Sequence, residues 1–529
     1  MARKVLFITA DQWRGEALGV LGHPCAVTPN LDRLAREGVV FARHYTPSAP
    51  CGPARTTFLT GLYPFIHRSV RNGSPLDSRH SNVALEARRA GYDPVLFGYT
   101  DSSADPSRLP PEDPRLKSYE GVIPGFRLEA SLNEACLTGW LSQLAAKGYE
   151  VPEPLSAIYR QKGTPAVVER FSRGPSVYKA EDSDTAYIAD RMLDFLRLRR
   201  NSDWFIHGVF LRPHPPLIAP EPYNMAVEAA KVPAAVKHPD RAREAAVHPY
   251  LAHWLREQEN PAYFESQVNV QALPESDLAD MRAVYYGLIQ EVDAQIGRIL
   301  DHLRSTGEID ETLIIFTSDH GEMLGDHWCW GKGGWFEASN FVPLVIRVPG
   351  RDRPRGIRVD AFTESVDLMP TILDWLGLDH PADLNGSSLM PWLSGTTPES
   401  WRNGVFWEFD FRSPHTQAVE RALGLTSDQA TLNVVRDDAY KYVHFSGLPP
   451  LLYDLEADPG ELENIAGRQG SGEIIARYAQ RLLNHRMLHN ERRFANAMLT
   501  TTGVTYHRGP RGLPMGWSMR PEPARPIAG

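Results

Sequence analysis

Short apolar and β-branched runs alternate along this chain with stretches whose apolar positions recur at helical spacing. The runs at 5–9, 94–97, 204–210, 312–316 and 342–348 have the pattern of strands buried on both faces. Helical spacing covers 29–38, 85–90 and 184–199, and it is longest at 277–303, where Tyr285, Leu288, Val292, Ile296 and Ile299 fall on one face. A further helix is predicted over 367–376, with Asp367 as its N-cap and Gly377 as its stop. From about 386 the texture changes to shorter aromatic and β-branched runs at 405–409, 431–435, 440–445 and 451–455, then a helix at 474–488. Those runs read as a small antiparallel sheet.

This alternation predicts an α/β protein: a large, mostly parallel central sheet flanked by helices, with a smaller C-terminal antiparallel sheet. The expected division is a catalytic domain over 1–385, the small sheet with its helix over 386–490, and an extended arm rich in Pro, Gly and Arg over 491–529. Positions 102–180 carry Pro, Gly and charge with little periodicity, so they are expected to wander over the surface and shape a substrate mouth.

Polar residues collect where the predicted strands end. Asp11 and Gln12 follow the first, Tyr99 and Asp101 the second, His214 the third and Asp319 with His320 the fourth, and Lys332 stands in a glycine-rich stretch at 331–334. Cys51 and Arg55 open an apolar, helix-like run, and Asn72 lies in a turn-rich loop. Each has a structural reading when taken alone: a turn cap for Asp11, a core imidazole for His214, a solvated turn lysine for Lys332, an inert buried thiol for Cys51. Ligand sites of open α/β sheets, however, lie at the carboxyl ends of the strands, and helix N-termini favour anions. Together these residues predict one anion-handling site on that edge.

Composition narrows the class. A chain of 529 residues with net charge −9 lacks the basic excess of a nucleic-acid binder. Its four cysteines, at 25, 51, 136 and 329, have neither C-x-x-C spacing nor the density of a disulfide framework. The first apolar run reaches Asp11 too soon for a signal-peptide core, and no run approaches the length of a membrane span. The expectation is a cytoplasmic protein that engages neither membrane nor nucleic acid.

Cys51-Gly52-Pro53-Ala54-Arg55 and the following Leu59-Thr60-Gly61-Leu62-Tyr63-Pro64 resemble the modification signature of type I sulfatases. The acid-bearing first strand, Thr317-Ser318-Asp319-His320-Gly321, Gly331-Lys332-Gly333 and the C-terminal stretch from Leu452 to Asn464 also match that branch of the alkaline phosphatase superfamily, in order. The resemblance implies that Cys51 is converted to formylglycine by a formylglycine-generating enzyme. It also implies one divalent metal ion held by Asp11, Gln12, residue 51, Asp319 and His320. One hydroxyl of the hydrated aldehyde then attacks sulfur or phosphorus, and the other expels the product by C–O cleavage. Arg55 is implied to orient the nucleophile, and Lys332 and His214 to contact the oxygens of the transferred group or the leaving oxygen. By the same resemblance the protein is a homo-oligomer, a dimer or tetramer.

The departures shift the expected substrate. Asp11-Gln12 and Asp319-His320 stand where many sulfatases have an all-oxygen, calcium-suited set, and an imidazole favours manganese, with zinc or iron possible. Gly98-Tyr99-Thr100-Asp101 replaces a lysine and histidine motif, as in phosphonate monoester hydrolases. Tyr99 takes that group's catalytic tyrosine role, and Asn72 and Asp101 are expected beside the substrate. The resulting expectation is a formylglycine hydrolase of phosphonate monoesters and phosphodiesters with promiscuous sulfate ester hydrolysis. The alternatives are a dedicated arylsulfatase and a sulfatase-like protein that only binds anions.

Overall fold

The computed structural model describes residues 4–163, 171–199, 202–258, 270, 273–350, 352–381, 383–491, 495, 497–506 and 525–526. The strands of its larger sheet are, in chain order, β1 (Lys4–Ala10), β2 (Val39–Phe41), β3 (Val95–Gly98), β4 (Arg127–Ser131), β5 (Phe205–Phe210), β6 (Thr312–Ser318), β7 (Leu344–Arg347) and β8 (Ile357–Val359). Across the sheet they run β8-β2-β7-β6-β1-β5-β3-β4. Strand β1 is parallel to both neighbours, and β3 is parallel to β4 and β5. The alternation of apolar runs and amphipathic helices thus yields the expected α/β sheet.

Register does the work of assembling a site. Ala10 lies opposite Phe210 on one side and Ser318 on the other, so Asp11, Leu211 and Asp319 leave the sheet at one level. Phe97 lies opposite Gly208, which brings Tyr99 to that same edge. Val5, Leu6, Phe7 and Ile8 are fully buried, each contributing about 1.5–3 kcal/mol against exposure. Slipping this register would forfeit that burial and scatter the strand ends.

Helices cover both faces. They include α1 (Pro29–Arg36), α2 (Cys51–Thr60), α3 (Thr138–Ala146), α4 (Asp184–Leu198), α5 (Glu275–Thr306), α6 (Leu368–Leu376) and α7 (Ser471–Leu488). Helix α5 packs on α1 and α4 and stops at Gly307, whose φ of 78° suits a residue without Cβ. Strands β9 (Val405–Asp410), β10 (Thr431–Arg436), β11 (Tyr440–Phe445) and β12 (Leu451–Asp454) form an antiparallel meander. One of its faces packs Phe406, Val435, Tyr442 and Leu452 with Tyr478 and Leu482 of α7. The other gathers Val434, Val443 and Tyr453 with Trp335 and Phe336, bracing the segment that carries Lys332.

Four details differ from the pattern-based reading. Strand β7 is antiparallel to both β2 and β6; an apolar run does not encode its direction. The 102–180 stretch includes an added sheet strand, β4, and helix α3, whose Trp140, Leu141 and Leu144 are buried, apolar residues too sparse to register as periodic. Asp367 does not cap α6: its carboxylate accepts from Glu364 N, 2.9 Å, and pairs with Arg402. Of the arm over 491–529, the described parts include a hairpin of Ala497–Thr500 with Gly503–Tyr506, and Arg525–Pro526 added antiparallel to β8 at the sheet edge. Positions 507–524 and 527–529 lie outside the described residues. Among the described residues no helix is long and apolar enough to cross a membrane.

Candidate active site

The ends of β1 and β6 are laced together before any functional group is added. Ser318 Oγ donates to the Ala10 carbonyl at 2.7 Å and accepts from Trp13 N at 2.9 Å. Asp319 Oδ1 accepts from Gln12 N at 3.1 Å and from His320 N at 2.9 Å. Gln12 takes a left-handed backbone with φ of 68°, a strained state for a residue with a side chain. Its carbonyl is held by the Tyr285 hydroxyl at 2.8 Å. Tyr285 belongs to the buried face of α5, so an apolar-looking helical position also supplies a polar tie.

Cys51 is the first residue of α2 and is buried. Its Sγ lies 3.2 Å from His320 Nε2, and His320 Nδ1 faces the Gly321 carbonyl at 2.9 Å. A carbonyl can only accept, so Nδ1 carries the proton and Nε2 presents its lone pair to the centre of the site. That nitrogen is also 3.7 Å from Asp11 Oδ1 and 3.8 Å from Asp319 Oδ2. One donor atom from each of Asp11, Cys51, Asp319 and His320 falls within 4.8 Å of all the others. Asp11 Oδ1 is buried without a hydrogen-bond partner. A buried orphan oxygen in a cage of carboxylates, sulfur and a neutral imidazole fits a divalent cation.

Arg55, one turn into α2, closes the other side. Its Nε donates to Asp319 Oδ2 at 2.9 Å, Nη2 to Asp11 Oδ2 at 2.9 Å and Nη1 to the Tyr99 carbonyl at 3.0 Å. The guanidinium also lies over the Tyr99 ring, 3.9 Å from its centre, and the Tyr99 hydroxyl donates to Asp11 Oδ2. Each fork of the guanidinium therefore has an acceptor, which a lysine could not match. Asp101, with φ of 49°, is buried 3.9 Å from Arg55 Nε, and its Oδ1 has no partner.

Lys332 and His214 meet above this cage. Lys332 Nζ donates to Gln12 Oε1 at 2.7 Å and to His214 Nε2 at 3.1 Å, while His214 Nδ1 faces the Pro215 carbonyl at 2.8 Å. Buried Arg212 fixes that loop by donating to the carbonyls of His214, 2.7 Å, and Pro216, 3.0 Å. Asn72 is exposed, and its Oδ1 accepts from Gly52 N at 2.9 Å. A Cβ at position 52 would stand 3.0 Å from the Asp101 carbonyl, so glycine lets the start of α2 approach that loop.

The electrostatics separate the roles. Burial, with Asp11 next, pushes the Cys51 thiol well above its ordinary value, so the unmodified sulfur is an un-ionised thiol and a poor nucleophile. Burial holds His320 down to about 4, keeping its imidazole neutral. Burial, then Lys332, lowers His214. Burial opposes ionisation of Asp11, but His214, Arg55 and Lys332 outweigh it and hold the carboxyl well below the usual range. Asp101 is pushed up to about 7 by burial, with Arg55 opposing and Asp11 and Asp319 reinforcing.

All eleven residues singled out from the sequence thus lie in this neighbourhood. The pattern did not single out Glu322, whose carboxylate accepts from Gln12 Nε2, from Leu324 N at 2.8 Å and from Gly331 N at 2.7 Å. It read Tyr285 only as an apolar helix-face position and did not single out Arg212 or Glu134, the last 3.4 Å from His214 Nδ1. Only Glu322 left a signal, since it stands two residues beyond His320.

The sulfatase family pattern matches residues 3–378, and that of the C-terminal part of N-sulphoglucosamine sulphohydrolase matches 325–488. The chain belongs to the sulfatase family. It is accordingly a hydrolase of sulfur or phosphorus esters. Among similar proteins, the multifunctional alkaline phosphatase superfamily protein PehA of Trinickia caryophylli is 40% identical over 96% of this chain and 99% of its own length. The phosphonate monoester hydrolase of Agrobacterium radiobacter superposes with TM-score 0.92 at 45% identity, over 96% of this chain and 100% of that one. The phosphonate monoester hydrolase of Silicibacter pomeroyi gives 0.90 at 39%, over 96% and 99%.

Proposed function

We propose that this sulfatase-family protein is a formylglycine- and metal-dependent hydrolase of phosphonate monoesters and phosphodiesters that also cleaves sulfate esters. The observation that carries the reading is the 3.2 Å approach of Cys51 Sγ to His320 Nε2 inside the Asp11, Asp319 and His320 cage. Those residues, with Gln12 as a further oxygen donor, would hold one divalent cation, manganese being favoured by the imidazole. When bound, the cation supplies charge that lowers the pKa of a neighbouring hydroxyl. Formylglycine at position 51, made from the thiol by a formylglycine-generating enzyme, supplies that hydroxyl as an aldehyde hydrate.

The chain's own residues do the rest. Arg55 fixes both carboxylates of the cage and, after His214, helps to hold the Asp11 carboxyl below the usual range against its burial. Tyr99 orients Asp11 through its hydroxyl. Lys332 offers an ammonium to an oxygen of the transferred group. His214, with its Nδ1 proton held by the Pro215 carbonyl and Nε2 accepting from Lys332, relays a proton from the Lys332 ammonium to the leaving oxygen. Asn72 anchors the Gly52 N–H, at the second residue of the nucleophile helix, at the mouth, with Asp101 behind it.

Charge sets the substrate class. Asp101, once ionised above about pH 7, offsets part of the positive charge of Arg55, which disfavours dianionic phosphate monoesters relative to monoanions. Phosphodiesters, phosphonate monoesters and sulfate esters each carry a single charge, so one site can take all three. The likeness to two phosphonate monoester hydrolases at 45% and 39% identity supports phosphorus as the preferred centre. Steady-state kcat/KM on a matched set of aryl phosphonate, phosphodiester, phosphate monoester and sulfate tests this. The expected order has the phosphonate and diester first; a sulfate preference of orders of magnitude would make the protein a dedicated sulfatase.

A further inference from the structure

Gln12 brings an amide side chain to the Lys332 and cage assembly, and an amide can face two ways. Its two ends meet groups of opposite kind. Both oxygens of Glu322 accept from N–H groups, and Lys332 has only donors. Glu322 receives the Gln12 Nε2 hydrogen, and Lys332 Nζ donates to Gln12 Oε1 at 2.7 Å. Reversing the amide would set N–H against ammonium and oxygen against carboxylate. The carboxylate of Glu322 is buried, where such a mismatch costs most.

We propose that Glu322 is a positioning residue that fixes the orientation of the Gln12 amide, and through it the place of the Lys332 ammonium. The chain of contacts runs from Glu322 to Gln12, to Lys332, to His214 Nε2 at 3.1 Å. The other Glu322 oxygen accepts from Leu324 N and Gly331 N, and Gly331 is the residue before Lys332. Glu322 therefore holds Lys332 twice: through the backbone that carries it and through the amide that receives its ammonium. The αL backbone of Gln12 is what turns the amide into the space between them.

Glu322→Gln separates these two tasks. The new side chain keeps an oxygen for the N–H groups of Leu324 and Gly331 but offers an NH2 group to Gln12. Gln12 must then turn its oxygen toward position 322 and its own NH2 toward Lys332, so the ammonium loses one of its two acceptors among the described residues and keeps only His214 Nε2. The loop stays tied, and the anion-binding cation is misplaced.

The effect on turnover rests on the hydrolase reading given above, whereas the effect on anion binding does not. The test uses the full chain loaded with manganese and inorganic phosphate as the probe. Isothermal titration gives phosphate affinity for wild type, E322Q, Gln12→Ala and the double variant, and thermal melts give Tm for each. E322Q is expected to weaken phosphate binding roughly ten- to a hundredfold, the usual loss for a hydrogen bond to a charged group or for an outer-shell partner, with Tm near wild type. In the Gln12→Ala background E322Q is expected to add less than about twofold, because the amide through which it acts is gone. In turnover, KM should rise by a larger factor than kcat falls. Unchanged phosphate affinity in E322Q overturns the proposal, as does an equal loss with and without Gln12. Failure of wild type to hydrolyse any phosphorus ester would refute the proposed function and leave the phosphate titrations to decide the role of Glu322.

Discussion

His320 Nε2 stands 3.2 Å from Cys51 Sγ while its other nitrogen is tied to the Gly321 carbonyl. That pairing fixes the tautomer and aims a lone pair at the residue on which the chemistry is to be built. Chelation should therefore abolish activity, and manganese should restore it. Because burial holds His320 down to about 4 instead of the ordinary 6.5, its lone pair stays available as pH falls through 6.5. Metal content after equilibration across pH should fall only below about pH 5. A midpoint near 6.5 would mean an ordinary, solvated imidazole.

Arg55 bridges Asp11 and Asp319 from a fully buried position. Arg55→Ala leaves two buried carboxylates facing each other, and breaking a buried ion pair costs about 3–5 kcal/mol. Urea denaturation of metal-free protein should show that loss. Arg55→Lys should recover charge but not the three-way fork, so its activity should remain well below wild type.

Asp101 gives a pH signature with a definite sign. Its folded value of about 7 lies above the ordinary 3.8, so the protonated form is the one the fold favours. Its contribution to stability is fully present below about 3.8 and is lost as pH rises through about 7. Asp101→Asn removes that loss: the variant should match wild type at pH 3 and exceed it at pH 8, by at most about 4 kcal/mol. Denaturant midpoints of metal-free protein at the two pH values check this. The same variant should also turn over a dianionic phosphate monoester faster relative to a diester.

His214 is placed to relay a proton from Lys332 to a leaving oxygen, so its value depends on how much that oxygen needs a proton. His214→Ala should lower kcat/KM by about 10²–10⁴-fold for alkyl esters. For aryl esters with acidic leaving groups the loss should be markedly smaller. Equal losses across a leaving-group series would assign His214 to binding alone.

Much of this site was legible in the sequence because strand ends carry their polar residues with them. Once the apolar runs at 5–9 and 312–316 are read as neighbouring parallel strands, Asp11 and Asp319 fall together by register. Cys51 was legible through its helix start and the Cys-x-Pro-x-Arg spacing. Glu322, Tyr285 and Arg212 were not, because each acts through a contact far away in sequence. Tyr285 occupies an apolar helical position whose hydroxyl has a partner 273 residues away. The antiparallel direction of β7 and the strand at Arg127–Ser131 were hidden for a related reason: pairing belongs to tertiary context and leaves no mark on a short apolar run.

The reading turns on what Cys51 becomes. A buried, un-ionised thiol at the centre of a cation cage is a poor nucleophile and a well-placed precursor. Mass spectrometry of the peptide containing Cys51, from protein made alongside a formylglycine-generating enzyme and active on a phosphodiester, should show the thiol replaced by an aldehyde in a fraction that tracks specific activity. An unmodified cysteine in fully active protein would contradict it.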